Sequence, residues 1–212
     1  MLARAAYARS DTEQAERWLA RISPEVGASS DIQLQNLALW RRAVGAIGER
    51  RPADALPVLG KITQDLIAQD MVGLAEPVFE DVATAANDLQ DSSLALPIAA
   101  LLDAIPLARR TRVVELCRAR IRANEAAERG DHDAAAEAYG LALGTARNLG
   151  KAALLGPVLF DYGRWLIQTG RTDEAAPLLE EARTIFVRMK AAHWLERAAQ
   201  VLARGEPETA IS

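Results

Sequence analysis

Cysteine is almost missing from this chain: Cys117 stands alone in 212 residues. A single thiol excludes an internal disulfide and a cysteine-built metal site, and it fits a reducing compartment. On a helix its simplest role is that of a small core residue rather than a nucleophile. Lysine is scarce as well, with Lys61, Lys151 and Lys190 the only ones among 25 basic residues. Together with abundant alanine, the surplus of arginine reads as the coding bias of a G+C-rich bacterial genome. Strand signals are absent too, for there is neither a sustained alternation of β-branched and polar residues nor an Asn-Gly or Asp-Gly turn. The longest apolar run, Leu94 to Leu102, is about half of a membrane span and contains Pro97. The opening MLARAAYARSD carries Arg4 and Arg9 and lacks the apolar core of a signal peptide. A soluble, cytoplasmic, helical chain is the expectation.

Signatures of chemistry are lacking in the same way. There is no phosphate-binding loop, no Gly-x-Ser-x-Gly, no Cys/His pair and no His-Glu-x-x-His. His132 and His193 are far apart and have no carboxylate at ligand spacing, so surface positions are expected for both. Glu180 and Glu181 are neighbours on a helix, where adjacent side chains diverge by about 100°. They read as a solvated face. No cofactor, no metal and no enzymatic activity are expected of this segment. A net charge of −4 provides no general field for a polyanion, which argues against nucleic acid as the default partner.

What is present is helical spacing throughout. Short polar residues able to cap a first turn occur at Ser10-Asp11-Thr12-Glu13, Ser30-Asp31, Asp91-Ser92-Ser93 and Thr172-Asp173. Stops fall at Gly130, Gly150, Gly170 and the loop SPEVGASS, and Pro52 and Pro157 suit first turns. These segments then align on a comb of 40 residues. GRTDEAAPLLEEA from Gly170 matches GDHDAAAEAYGLA from Gly130, QDSSLALPIAALL from Gln90, RRPADALPVLGKI from Arg50 and SDTEQAERWLARI from Ser10. One column holds Ala15, Ala55, Ala95, Ala135 and Ala175, and a second holds Ile22, Ile62, Leu102, Ala142 and Ala182. A third, seven residues before each turn, holds Ala3, Ala43, Ala83, Ala123 and Gly163. Antiparallel helices approach closely only where both carry small residues, which sets Ala175 against Gly163 and Ala135 against Ala123.

This pattern resembles the tetratricopeptide repeat: a small residue late in helix A, a glycine turn, and alanines early and seven residues later in helix B. Gly163, Gly170, Ala175 and Ala182, with Tyr162 and Leu166, carry the likeness best, and Ala123, Gly130, Ala135, Tyr139 and Ala142 repeat it. The family's period is about 34 rather than 40, and the first three segments lack the turn glycine. The longer, degenerate repeats and the ending EARTIFVRMKAAHWLERAAQVLA are similar to the C-terminal helical regions of large bacterial LuxR-type regulators and cyclase-type signalling ATPases. The resemblance implies an all-α, right-handed solenoid of about five antiparallel hairpins. These fall around residues 1–30, 31–70, 71–106, 107–150 and 151–190, followed by a capping helix at 191–204 and a polar tail at 205–212. The cap presents Trp194, Leu195, Ala198, Val201 and Leu202 on one side. Residue 1 falls inside the first helix A, so the chain is expected either to be a fragment of a longer protein or to have its first hairpin covered by a partner, which includes a second copy.

A concave groove follows from such stacking, and the resemblance places its lining on helix A. The positions selected are Trp40 and Val44, Glu80 and Thr84, Arg120 and Asn124, and Phe160 and Arg164. Arg120 with Asn124 resembles the clamp by which some members hold a peptide's terminal carboxylate, although Arg164 stands where a second amide would complete it. Between Ala108 and Arg122 the residues Arg109, Arg110, Arg112, Arg118, Arg120 and Arg122 face only Glu115. An acidic protein, an upstream domain of the same protein or, less naturally, nucleic acid would suit that run. Trp18, Trp40, Trp165 and Trp194 read as fillers between helices. The expected role is a protein or peptide interaction scaffold in a bacterial signalling or transcription-regulatory protein. The alternative is a sensor domain that closes its groove on a small effector or signalling peptide.

Overall fold

The computed structural model describes residues 6, 11–21, 30–89 and 92–205, and among them every regular element is helical. In chain order these are α1 (Thr12–Ala20), α2 (Ile32–Gly48), α3 (Pro52–Ala68), α4 (Glu76–Asp88), α5 (Leu96–Ala104), α6 (Arg112–Glu128), α7 (His132–Leu149), α8 (Ala152–Gln168), α9 (Thr172–Arg188) and α10 (Ala192–Gly205). Sequence-adjacent helices pack against one another, most extensively α2 on α3, α6 on α7 and α8 on α9. The result is an all-α helical-repeat solenoid. Among the described residues no helix is long and apolar enough to cross a membrane.

Side-chain caps start several of these helices. The Asp31 carboxylate accepts from the Gln33 amide at 2.8 Å, Asp131 from Ala134 at 3.1 Å and Thr111 from Val114 at 3.3 Å. Two expected starts differ. Thr172 is already the first residue of α9, whose cap position falls on Arg171 and has no side-chain bond. Pro157 lies inside α8 rather than in its first turn, and Pro57 and Pro177 lie at the same depth in α3 and α9.

The turns have a finer period than the 40 residues visible in the sequence. Left-handed φ values occur at Arg50 (59°), Asp70 (60°), Gly130 (73°), Gly150 (65°), Gly170 (77°) and Lys190 (54°). All of these sit on a comb of 20 residues. At five of them the next amide reaches back to the carbonyl five residues away: Arg51 to Ala46, Met71 to Leu66, Asp131 to Ala126, Arg171 to Leu166 and Ala191 to Phe186, at 2.8 to 2.9 Å. This is the Schellman closure, in which main-chain bonds satisfy the last carbonyls of a helix. Arg50 therefore forms the turn that a glycine forms in later repeats. An L-residue there costs about 1 kcal/mol or more in backbone strain, against about 0.5–1 kcal/mol of extra chain entropy lost by glycine. Lys190→Gly is expected to raise the unfolding free energy by about 0.5 kcal/mol, read as a shift of the urea midpoint at constant slope.

The three columns of small and apolar residues are buried wherever they are described. Ala15, Ala55, Ala95, Ala135, Ala175, Ala43, Ala83 and Ala123 are all at most 1% exposed, as are Ile62, Leu102, Ala142 and Ala182. Ala3 and Ile22 lie outside the described residues. The tightest contact, however, is not the one the alignment suggests. A Cβ built on Gly163 would lie 2.6 Å from Leu179 Cγ, so Leu179, one turn beyond Ala175, fills the space that Gly163 leaves open.

The third repeat breaks the regularity. Helix α5 has only nine residues and is flanked by the 3₁₀ turns Ser92–Leu94 and Leu107–Arg109. It packs on α3, where a Cβ on Gly60 would meet Ile98 at 3.3 Å, and on α6. The apolar core falls into two main clusters. One runs from Ala43 on α2 to Val158 on α8, and the other from Ala123 on α6 to Val201 on α10, with Leu143 and Leu155 packed against both.

Candidate functional site

The helices that carry the groove positions, α2, α4, α6 and α8, meet through buried and half-buried polar bonds. The Trp40 indole N–H donates to the Asp81 carboxylate at 2.8 Å. One double repeat later, Arg120 donates Nη2–H and Nε–H to Asp161 Oδ2 at 2.7 and 3.2 Å. In both cases the acceptor is 41 residues beyond the donor. Asn87 at the end of α4 donates its amide to the same Asp161 oxygen at 2.7 Å, and Arg164 donates to the Asn87 carbonyl at 2.8 Å. Arg164 also lies 3.7 Å from the other Asp161 oxygen. Three helices thus converge on one carboxylate with no solvent exposure. Burial alone would raise its pKa, but Arg120 and Arg164, with the hydrogen bonds from Arg120 and Asn87, outweigh burial and hold it below the ordinary carboxylate range.

Several groove positions are therefore spent on the fold itself. Arg120 and Phe160 are 3% and 1% exposed, because the superhelix brings α4, α6 and α8 together where an open groove was expected, and Val44 on α2 is 5% exposed against Trp18 and Trp40. Of the pair likened to a carboxylate clamp, Arg120 is committed to Asp161, and Asn124 donates to Glu128 at 2.9 Å. The other Glu128 oxygen accepts from the Ser92 amide at 2.7 Å. Trp40, Glu80, Thr84, Asn124 and Arg164 keep partial exposure along this face.

Most of the basic run is also paired with carboxylates of the same chain. Arg118 and Arg122 share Asp103, Arg118 and Arg110 pair with Glu115, and Arg109 pairs with Asp70. Asp103, held below its ordinary range against burial by Arg118 and Arg122, lies in the preceding repeat. Reading the run by itself could not reveal it. Glu181 pairs with Arg147 across hairpins, and Glu180 with Arg183 on its own helix. Cys117 is a core residue whose thiol is pushed up to about 12 by burial.

A seam joins distant repeats. On α10, Arg197 pairs with Asp88 at the end of α4, and Glu196 pairs at 2.5 Å with Arg50 in the turn between α2 and α3. The Arg197 guanidinium lies 4.4 Å from the Trp194 ring centroid and 4.9 Å from that of Phe160. His193, expected on the surface, is partly buried among these groups, and burial, then Arg197, lowers its pKa. His132 opens α7 with its ring 6.2 Å from Trp165. Among the described residues no three His, Cys, Asp or Glu side chains gather in a manner able to hold a metal.

A separate cleft of about 360 Å³ lies over α2 between α1 and α3, lined by Glu16, Arg41, Arg42, Glu49, Arg51 and Asp54, with Gly45, Ala46 and Val58 beneath. Arg51 pairs with both Glu49 and Asp54. Arg41 and Arg42 form no ion pair with described residues. Compared with models of known protein families, with curated proteins and with solved structures, the chain gives no match in any of the three.

Proposed function

We propose that this chain is a non-catalytic scaffold that binds a protein or peptide, in the role of a tetratricopeptide-like regulatory region of a bacterial signalling or transcription-regulatory protein. The observation that carries the reading is the stacking of helical units, regular except in the third repeat, which repeats the same helix position along one face. An extended surface of that kind suits the side chains of a chain-like ligand better than a compact substrate. Glu80, Thr84 and Asn124 supply its partly exposed polar positions. The second reading, a sensor of a small effector, is favoured by the cleft over α2, where the carboxylates are engaged and Arg41 and Arg42 have charge to spare. A small anion would suit it.

One pair of measurements separates the two. Fluorescence anisotropy against a tiled array of 15-residue peptides is expected to find binders whose affinity falls about tenfold, or about 1.4 kcal/mol, in Glu80→Ala/Asn124→Ala, with the unfolding midpoint unchanged. Failure of every peptide, together with a thermal shift by citrate or phosphate that Arg41→Ala/Arg42→Ala removes, would overturn the scaffold in favour of the sensor.

A further inference from the structure

The seam at α10 joins parts of the chain that share no apolar core. Every apolar residue of α10 packed in a core, from Trp194 to Leu202, belongs with the second cluster, as does Ala191 just before the helix. Arg50 and Asp88 lie in the turn after α2 and at the end of α4, helices whose buried apolar residues, Val44 aside, belong to the first cluster. What crosses the seam is charge: Arg197 to Asp88, 109 residues apart, and Arg50 to Glu196, 146 residues apart. The two pairs also differ in kind. Arg50 and Glu196 keep 55% and 54% of their side-chain exposure, whereas Arg197 and Asp88 keep 14% and 20%. Apolar packing binds in proportion to buried area and is not weakened by charge screening, whereas ion pairs weaken as salt rises and vanish when one charge is removed.

We propose that α10 is an electrostatic latch that closes the superhelix on itself, so that breaking Arg197–Asp88 and Arg50–Glu196, with the neighbouring bonds of Asn87 to Asp161 and Arg164 giving way, swings α10 away from α2 and α4 while both apolar cores stay intact. The hinge is where the clusters meet, between Ile121 and Ala123 on α6 and at Leu143 on α7 and Leu155 on α8, which touch both. Opening parts α10 from the end of α4, leaving Asp88 and Arg197 on opposite sides of the gap. Access to that gap is set by the latch, whatever the inner face binds.

The test labels the exposed residues Ala53 on α3 and Gln200 on α10 with spin probes at introduced cysteines, leaving the buried Cys117 unmodified. Electron-electron distance measurement on the full chain is expected to give one narrow distribution at low salt. A longer, broader population should appear in Asp88→Asn/Glu196→Arg and, to a smaller extent, in the parent chain at 1 M salt. Arg50→Glu added to Glu196→Arg restores one pair with reversed polarity and should return most molecules to the short distance. Far-UV circular dichroism unchanged across the set confirms that the helices persist. Superimposable distributions in the parent and in Asp88→Asn/Glu196→Arg would overturn the latch, and so would loss of helix in parallel with the lengthening.

Discussion

Asp161→Ala is expected to lower the unfolding free energy by about 3–5 kcal/mol, the range for removing one partner of a buried ion pair. The reason is what the substitution leaves behind. Arg120 is 3% exposed and both of its hydrogen bonds to a side chain end on Asp161, so its charge would remain in the interior without compensation. Asn87 loses its acceptor at the same time, while Arg164 is near enough to the surface to turn toward water. Replacing both members with apolar residues of similar volume, as in Arg120→Met/Asp161→Leu, should recover most of the loss, because no uncompensated charge is then buried. Urea unfolding of the three proteins checks this, and a double variant as unstable as Asp161→Ala would refute it. The pH dependence has a fixed sign. A carboxylate held below its unfolded pKa adds stability in full above that value and loses it as pH falls toward the folded one. Acid unfolding of the parent should therefore be steeper than that of the apolar double variant below about pH 4.

Gly163→Val should cost about 3 kcal/mol, at the upper end of overpacking penalties. The Cβ alone would stand 2.6 and 2.7 Å from Leu179 Cγ and Cδ2, and valine adds two methyl groups in a helix that has no room to turn them. Gly163→Ala is milder, since alanine's better helix propensity, about 1 kcal/mol, offsets part of the clash. The cause can be isolated by pairing the substitution with Leu179→Ala. That change alone opens a cavity and costs about 2–5 kcal/mol. In the double variant the valine occupies the vacated space, so the combined loss should be smaller than the sum by about 1–2 kcal/mol. Strict additivity would mean that Leu179 is not the obstacle.

These two positions show how far the sequence could be read. Gly163 stood out because it belongs to a column of small residues, and such a column has few explanations in a helical chain other than close approach. The side chain nearest to it, Leu179, lies one turn beyond the Ala175 of the aligned column, because an alignment of columns locates a contact only to within the pitch of a helix. Arg120 and Asp161 were opaque: each has the side chain of a surface residue, and their burial is decided by superhelical curvature, which no local pattern encodes. The basic run around Arg118 misled for the same reason, since Asp103 approaches it only after the chain has folded back. The 20-residue unit was legible in principle, because Pro57, Pro77, Pro97, Pro157 and Pro177 mark it. Glycine, the residue that usually announces a left-handed turn, is replaced at Arg50, Asp70 and Lys190, and that hid it.

The Schellman turns have a bearing on descent. Each is closed by amide and carbonyl groups that every residue except proline carries, so the geometry survives the loss of glycine at a cost of about a kilocalorie per mole. Once such a helix unit has been duplicated, its copies can drift apart in side chains while main-chain bonds hold their register. In an array of this kind the shape outlasts the signature, and kinship is preserved in the spacing of the turns long after it has faded from the letters.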